Sequence, residues 1–160
     1  MELTHINKHG EAAMVDISQK PATLRTAEAY AAVKMKASTL ATILSGDLPK
    51  GDVLACARIA GIMAAKRTSE LIPLCHPIAL THISVDFEPK EPDILEITTR
   101  AACQYSTGVE MEALCAASLA ALTIYDMCKA IDRGMEILNV SLLKKTGGQS
   151  GAYEKGNLKE

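Results

Sequence analysis

The chain has almost no aromatic side chains: its 160 residues include no tryptophan, one phenylalanine and four tyrosines. Proteins that bind single-stranded nucleic acid stack bases on aromatic rings, so this composition excludes an aromatic stacking platform. An overall basic surface is missing as well, because 17 Lys and Arg against 19 Asp and Glu leave a net charge of −2. We therefore expect neither nucleic acid nor an anionic membrane as a partner, and any anion site must be local.

Cysteine spacing typical of zinc or redox sites is also missing. The five cysteines are odd in number and widely separated: Cys56, Cys75, Cys103, Cys115 and Cys128. This pattern predicts reduced thiols.

The start of the chain has no basic and apolar leader, and the longest uncharged stretch, Ala113 to Tyr125, covers about half a bilayer. These absences predict a cytoplasmic protein.

The size and composition are those of one globular domain. With 48% hydrophobic side chains and a mean hydropathy of +0.10, a chain of this length buries roughly 70% of its unfolded surface. We predict a single domain over 1–160, with a mobile arm over 1–13 and a loose tail over 152–160.

Alternating apolar and polar residues predict the strands. A first strand signal lies at 14–17, and small or apolar residues alternate with polar ones over 27–36. Alternation over 83–87 and 95–101, on either side of a proline-containing turn, predicts a β-hairpin. A last strand is predicted over 138–142.

Capping residues and helical periodicity predict the helices. Ser38 is a plausible N-cap of a short helix that ends at Gly46, and Asp52 is the N-cap of an alanine-rich helix over 53–68. A long helix is predicted over 108–131, and the small residues of the two long helices favour close packing between them.

This order of elements predicts an α+β protein, a ferredoxin-like βαββαβ two-layer sandwich with a small inserted helix. Both long helices would cover one face of the sheet. The other face, with Tyr30 and Ala32, would lack cover in a monomer, which favours a homo-oligomer.

A histidine is held between two prolines in the segment Pro73-Leu74-Cys75-His76-Pro77. Prolines restrict the backbone on both sides, so the imidazole is suited to hydrogen bonding or proton transfer near neutral pH. A histidine that only satisfies backbone groups is the equally weighted alternative. Cys75 is better interpreted as a binding or structural residue than as a nucleophile.

Charged residues occur at both ends of the long helix. Asp126 and Lys129 share one face and could exchange protons, although from the residues alone a simple surface ion pair is the favoured explanation. Glu110 and Glu112 open the helix, where negative charge is stabilising. Fourteen residues separate Glu112 from Asp126, about 21 Å of helix. If both are functional, the site spans two subunits.

Cations stand next to glycines in the segment Lys144-Lys145-Thr146-Gly147-Gly148. Free backbone N–H groups of such a loop can hold phosphate, but a flexible basic tail explains the segment equally well. Lys50, in a turn rich in Gly and Pro, is a weaker candidate of the same kind.

Three segments resemble the family of molybdenum cofactor biosynthesis protein C, the cyclic pyranopterin monophosphate synthases: Leu-Ile-Pro-Leu-Cys-His-Pro at 71–77, Thr-Gly-Val-Glu-Met-Glu-Ala-Leu at 107–114 and Leu-Thr-Ile-Tyr-Asp-Met-Cys-Lys-Ala at 122–130. The resemblance extends over nearly the whole chain. It implies a lyase that converts 3′,8-cyclo-7,8-dihydro-GTP, made by an upstream radical enzyme, to cyclic pyranopterin monophosphate and pyrophosphate. It also implies a homohexamer, a trimer of dimers with sites between subunits.

The same resemblance implies roles for individual residues. It assigns catalysis to Asp126, with Lys129 and Lys50 taking part in proton transfer. It assigns substrate binding to seven further residues: Leu74, Cys75, His76, Glu110, Met111, Glu112 and Lys145. Ser106 and Gln149 depart from the family pattern, which has lysine at these positions, so phosphate binding would depend more on Lys145 and on other chains.

No cofactor is indicated by the sequence, and participation of Mg²⁺ stays open. The alternative from another functional class is a non-catalytic, ferredoxin-like regulatory module that binds a nucleotide or small metabolite at a subunit interface. Substitution of Asp126 separates the two hypotheses, because only a synthase has turnover to lose.

Overall fold

A five-stranded antiparallel sheet forms one layer of the computed structural model, which describes residues 5–46, 48 and 50–156. The strands lie in the order β2-β3-β1-β4-β5. Their bounds are β1 Thr23–Lys34, β2 His82–Lys90, β3 Ile94–Tyr105, β4 Glu136–Thr146 and β5 Tyr153–Glu154. The long central strand β1 pairs along its length with β3 on one side and β4 on the other.

Helices form the second layer. Their bounds are α1 Ala37–Ser45, α2 Val53–Lys66, α3 Thr68–Leu71 and α4 Glu110–Cys128. α2 and α4 pack so closely that a Cβ on Gly61 would lie 2.9 Å from the carbonyl oxygen of Ala116. Alanines on α4 and alternate residues of β1 form the core between the layers. The prediction that two small-residue helices pack together is confirmed.

The mixed α/β class and the order of the major elements agree with the sequence-based prediction, and the hairpin is confirmed as β2 and β3. The strand predicted at 14–17 was wrong, because these residues form no strand. β1 instead begins at Thr23, and its pairing extends to Tyr105 of β3. The alternation over 27–33 faces the core as predicted, and Ala29, Ala31 and Val33 have no exposed surface.

The predicted ends of the helices need correction. α1 begins one residue before Ser38, and its N-cap is Lys36, which makes no side-chain cap; Gly46 does end the helix in the left-handed conformation. Asp52 caps α2 by accepting a hydrogen bond from the Ala55 N–H at 2.9 Å. α2 ends at Lys66, and a separate short helix, α3, follows it.

The last part of the chain is more ordered than the sequence predicts. β4 runs on to Thr146, so Lys145 lies on a strand rather than in the loop, and two residues of the predicted loose tail form β5. In the predicted arm, Ile6 and Ala12 form a β-bridge. Residues 1–4 and 157–160 of the arm and tail, and Asp47 and Pro49 of the predicted turn, lie outside the described residues.

α4 is long and apolar enough to cross a membrane by length and composition, a criterion that a buried core helix meets equally. Ten of its residues are buried, among them Ala113, Ala117 and Ile124, which pack in the core. All five cysteines are free thiols, and three of them are buried.

Candidate active site

The carboxyl-terminal end of α4 brings one aspartate and two lysines together. The Lys129 ammonium donates a hydrogen bond to the Asp126 carboxylate at 2.5 Å. The Lys50 ammonium lies 4.0 Å from the same carboxylate and donates to the main-chain oxygen of Asp126 at 3.1 Å. One chain therefore assembles all three residues for which proton transfer was predicted, and we call them the Asp126 cluster.

The Asp126 cluster is open to solvent and electrically biased. The hydrogen bond from Lys129, and then the charges of Lys129 and Lys50, hold the pKa of Asp126 below its ordinary value. The Asp126 side chain is 60% exposed, and exposed ion pairs contribute little to stability. A carboxylate beside two ammonium groups on an open surface is suited to exchange protons with a bound molecule.

A cavity of about 350 Å³ lies at the amino-terminal end of α4 and is named the His76 cavity. The imidazole Nε2 of His76 donates a hydrogen bond to the carbonyl oxygen of Val15 at 2.9 Å. A carbonyl only accepts, so Nε2 carries a proton in this contact, and Nδ1 is left for a second hydrogen bond. Six of the predicted binding residues line this cavity: Leu74, Cys75, His76, Glu110, Met111 and Glu112.

Glu112 is the buried acid of the His76 cavity. Its side chain is 3% exposed, and burial raises its pKa to about 7. Burial, and then the charge of Glu112, also raises the pKa of the neighbouring Cys75 thiol. A raised thiol pKa opposes a nucleophilic thiolate, in agreement with the binding or structural role predicted for Cys75.

A second cavity of about 640 Å³ adjoins the first and is named the glycine-loop cavity. Gly147 and Gly148 line it together with the cations Lys20, Arg25 and Lys145. The Lys145 ammonium lies 3.8 Å from the Glu110 carboxylate and forms a hydrogen bond with Ser150. With three cations and one anion on its wall, this cavity favours an anionic ligand.

Conformation favours glycine at both loop positions, and at Gly147 space requires it as well. Their φ angles are +89° and +81°, a region that favours glycine. A Cβ on Gly147 would collide with the Leu24 carbonyl oxygen, and one on Gly148 would collide with the Arg25 guanidinium. The glycines therefore let the loop close over the start of β1.

The predicted site residues fall into two groups at opposite ends of α4. Lys145, with Glu110, belongs to the amino-terminal group, whereas Asp126, Lys129 and Lys50 form the other. About 21 Å of helix separates the groups, which repeats the spacing inferred from the sequence. Among residues 5–46, 48 and 50–156, no cluster of three His, Cys, Asp or Glu side chains could hold a metal ion.

Sequence reasoning missed two cations of the glycine-loop cavity, Lys20 and Arg25. Arg25 reaches the loop because its Nε donates to the Tyr105 carbonyl at 3.2 Å, across β1 and β3. No local pattern marks this contact, because the fold alone brings the start of β1 beside the loop after β4. Ser106 and Gln149, the two departures from the family pattern, both line the same cavity.

Comparisons with known proteins show what this chain is similar to. A family model described as the MoaC family matches residues 14–148. The chain is 57% identical over 155 residues to cyclic pyranopterin monophosphate synthase 1 of Mycobacterium tuberculosis, covering 97% of this chain and 91% of that protein. It is also 57% identical over 155 residues to cyclic pyranopterin monophosphate synthase of Chloroflexus aurantiacus, covering 96% and 95%.

Proposed function

This chain belongs to the MoaC family and synthesises cyclic pyranopterin monophosphate in molybdenum cofactor biosynthesis, and we propose that it does so as a lyase acting on 3′,8-cyclo-7,8-dihydro-GTP. Pyrophosphate is the second product. The observation that carries the proposal is the Asp126 cluster, in which one carboxylate contacts two lysines at an open surface.

Proton transfer is the task of the Asp126 cluster. Opening and reclosing the purine and ribose framework requires protons to be added and removed in turn. Asp126 is ionised at neutral pH, and Lys129 and Lys50 stabilise that state by lowering its pKa; an ionised carboxylate has acceptor oxygens that can take a proton. The neighbouring ammonium groups can donate one, and removal of one positive charge weakens the stabilisation of the carboxylate.

The two adjoining cavities divide the substrate between them. We assign the ring system to the His76 cavity, where Leu74, Cys75, His76, Met111 and Glu112 supply binding groups. The triphosphate occupies the glycine-loop cavity, where Lys145 and the loop N–H groups bind it and stabilise the charge that develops on the leaving pyrophosphate. Glu110 lines both cavities and orients Lys145.

The proposed site is completed by a second subunit. One small substrate does not reach from Glu112 to Asp126 along a single chain, since about 21 Å of helix separates them. Exposed apolar side chains on the sheet, among them Leu24 at 59% and Val140 at 43%, support association of subunits. We propose a homohexamer built as a trimer of dimers, with the active sites between subunits.

The remaining parts of the proposal concern fold and setting. The strand order β2-β3-β1-β4, with α2 and α4 packed against each other on the same side, supports a ferredoxin-like assignment for a single domain. We place the enzyme in the cytosol, downstream of the radical enzyme that supplies its substrate. No cofactor is required in this proposal, so treatment with EDTA leaves turnover unchanged, whereas loss of turnover that Mg²⁺ restores would contradict it.

The experiment that tests the function compares Asp126→Asn with the wild-type chain. Each protein is incubated with the cyclised dihydro-GTP, and pyrophosphate and the fluorescence of the oxidised pterin are followed. Asp86→Asn is the matched control, because Asp86 is 59% exposed and also paired, with Arg100 at 2.9 Å, but lies on the sheet away from both cavities. We expect product from the wild type and Asp86→Asn and none from Asp126→Asn. Binding of the nucleotide by all three proteins without product from any would instead support the regulatory module.

A further inference from the structure

One cation borders both cavities. Lys20 lines the His76 cavity and the glycine-loop cavity, and the other residues that line both are Thr107, Gly108 and Glu110. Lys20 is the single cation among these four. It therefore lies where a molecule that occupies both cavities must pass from one to the other.

The backbone of Lys20 is held at this junction by three constraints. The Ser106 hydroxyl donates a hydrogen bond to the Lys20 carbonyl oxygen at 2.7 Å. The Lys20 N–H donates to the Ile17 carbonyl at 3.0 Å. Pro21 follows, and a residue before proline is confined to extended backbone. Only the side chain of Lys20 remains free to rotate, so its ammonium can adjust to a ligand while the backbone stays fixed.

The charge of Lys20 is available to a ligand. Within the part of the chain that the structure describes, no carboxylate forms a salt bridge with Lys20. Glu110, the acid that shares the junction, is paired with Lys145 at 3.8 Å. An anionic group at the junction would thus meet an uncompensated ammonium.

We propose that Lys20 binds the phosphate nearest to the ring system of the substrate and that Ser106 is its positioning residue. This inference rests on the proposed function, in which the ring system and the phosphate chain occupy adjoining cavities. The phosphate attached to the ring system is the anion that lies at their junction. Because pyrophosphate carries away the two outer phosphates, Lys20 stays with the phosphate that the product retains.

The test uses binding of two inorganic probes to the full chain, measured by calorimetry. Inorganic triphosphate is long enough to extend from the glycine-loop cavity toward the junction, whereas pyrophosphate is shorter. In Lys20→Gln we expect triphosphate to bind roughly 5- to 10-fold more weakly, the loss expected for one charge-assisted contact at an open site, and pyrophosphate to change less. Lys20→Arg restores binding, and Lys34→Gln, the same charge change at the far end of β1, has no effect.

Kinetics with the cyclised dihydro-GTP test the role of Ser106. Ser106→Ala raises KM with kcat unchanged, and Ser106→Thr, which keeps the hydroxyl, restores KM. A purely structural role would lower the melting temperature of Ser106→Ala without moving KM, and that result would overturn the positioning role.

The remaining outcomes distinguish a failure of the Lys20 assignment from a failure of the proposed function. Equal binding of triphosphate by Lys20→Gln and Lys34→Gln, with wild-type turnover intact, overturns the role of Lys20 alone. Equal losses of affinity for triphosphate and pyrophosphate in Lys20→Gln would mean that Lys20 binds the phosphates held by the glycine loop. This result would overturn its place at the junction. Absence of turnover in the wild type contradicts the proposed function, and the probe measurements still decide whether Lys20 binds phosphate.

Discussion

Gly148 shapes the glycine-loop cavity through the side chain that it lacks. Its φ of +81° is strained for any other residue, and an added Cβ would collide with the Arg25 guanidinium. A guanidinium is the far end of a flexible side chain, so Arg25 would move aside rather than unfold the protein. Gly148 therefore determines where the Arg25 guanidinium lies in the cavity.

We expect Gly148→Ala to displace Arg25 and weaken pyrophosphate binding roughly fivefold, as loss of one well-placed charged contact does. Gly151→Ala is the matched control, because Gly151 has a φ of +68° with no atom within 4 Å of its added Cβ. Both variants lose about 1 kcal/mol of stability from the positive φ. Calorimetry and urea unfolding check the two effects, and equal pyrophosphate affinity in both variants would exclude positioning by Gly148.

Glu112 makes stability depend on pH. An unfolded chain releases this proton near the ordinary value of 4.5, whereas burial raises the pKa of Glu112 in the folded chain to about 7. Between these values the folded state binds more protons than the unfolded state. Its free energy of unfolding therefore falls as the pH rises through this window, by up to roughly 3 kcal/mol.

Glu112→Gln resembles the protonated acid and has no such titration. Relative to the wild type, the variant should gain stability as the pH rises from 5 to 8, because only the wild type must ionise a buried group. Urea unfolding at several pH values measures this difference. Glu136→Gln, at an exposed position of β4, is the matched control, and the same pH-dependent gain in both variants would exclude burial of Glu112 as its cause.

Individual residues differ in how far the sequence determines their contacts. Asp126 and Lys129 are three residues apart on a helix, so helical geometry alone predicts their contact, which has a distance of 2.5 Å. The contact of Arg25 with Gly148 joins the start of β1 to the loop after β4, and no periodicity encodes such a pairing. The local contact of Asp126 with Lys129 was therefore predictable, and the places of Lys20 and Arg25 beside the glycine loop were not.

At the level of elements, the start of α1 shows why a helix boundary was misplaced. Ser38 is a good capping residue by type, but the buried carboxylate of Asp132 accepts hydrogen bonds from the Lys36 N–H at 2.8 Å and the Thr39 hydroxyl at 3.2 Å. It also accepts the Gly134 N–H at 3.1 Å. A side chain from the turn after α4 thus substitutes for a local cap.

Removal of this carboxylate should destabilise the fold strongly. Asp132→Ala leaves the buried Thr39 hydroxyl, and the part-buried N–H groups of Lys36 and Gly134, without their acceptor, so we expect a loss of about 2–4 kcal/mol. Asp132→Asn keeps an acceptor oxygen and should lose less. Asp52→Ala, which removes an exposed cap with one hydrogen bond, should lose about 1 kcal/mol. Urea unfolding gives all three values, and a smaller loss in Asp132→Ala than in Asp52→Ala would show that Asp132 does not hold these elements together.

Strand ends were harder to predict than strand centres for a related reason. The centre of β1 alternates because one face is buried, and this pattern is visible in the sequence. The start of β1 and the end of β4 are polar, and they are held by backbone pairing together with a hydrogen bond between the Thr26 and Thr146 hydroxyls at 2.6 Å. Lys145 lies in such an end, so its place on a strand required knowledge of the partner strand.

At the scale of the whole molecule, α4 separates the two groups of predicted site residues. The helix cannot bend to bring Glu112 near Asp126, because its alanines are packed against α2 and the sheet along its length. Under the proposed function, this separation requires that one active site combine the His76 and glycine-loop cavities of one subunit with the Asp126 cluster of another.

This requirement predicts that two inactive variants complement each other. Asp126→Asn loses the cluster and Lys145→Gln loses a cation of the glycine-loop cavity, and each should be inactive alone. When subunits are mixed in equal amounts, about a quarter of the shared sites receive both intact groups, so about a quarter of the wild-type activity should return. Two variants of the same group, Asp126→Asn and Lys129→Gln, form the control and should not recover, since every site in that mixture takes its cluster from one defective chain. Recovery in neither mixture, together with a monomer by light scattering, would mean that each chain holds a complete site, and the length of α4 would then no longer govern where the substrate binds.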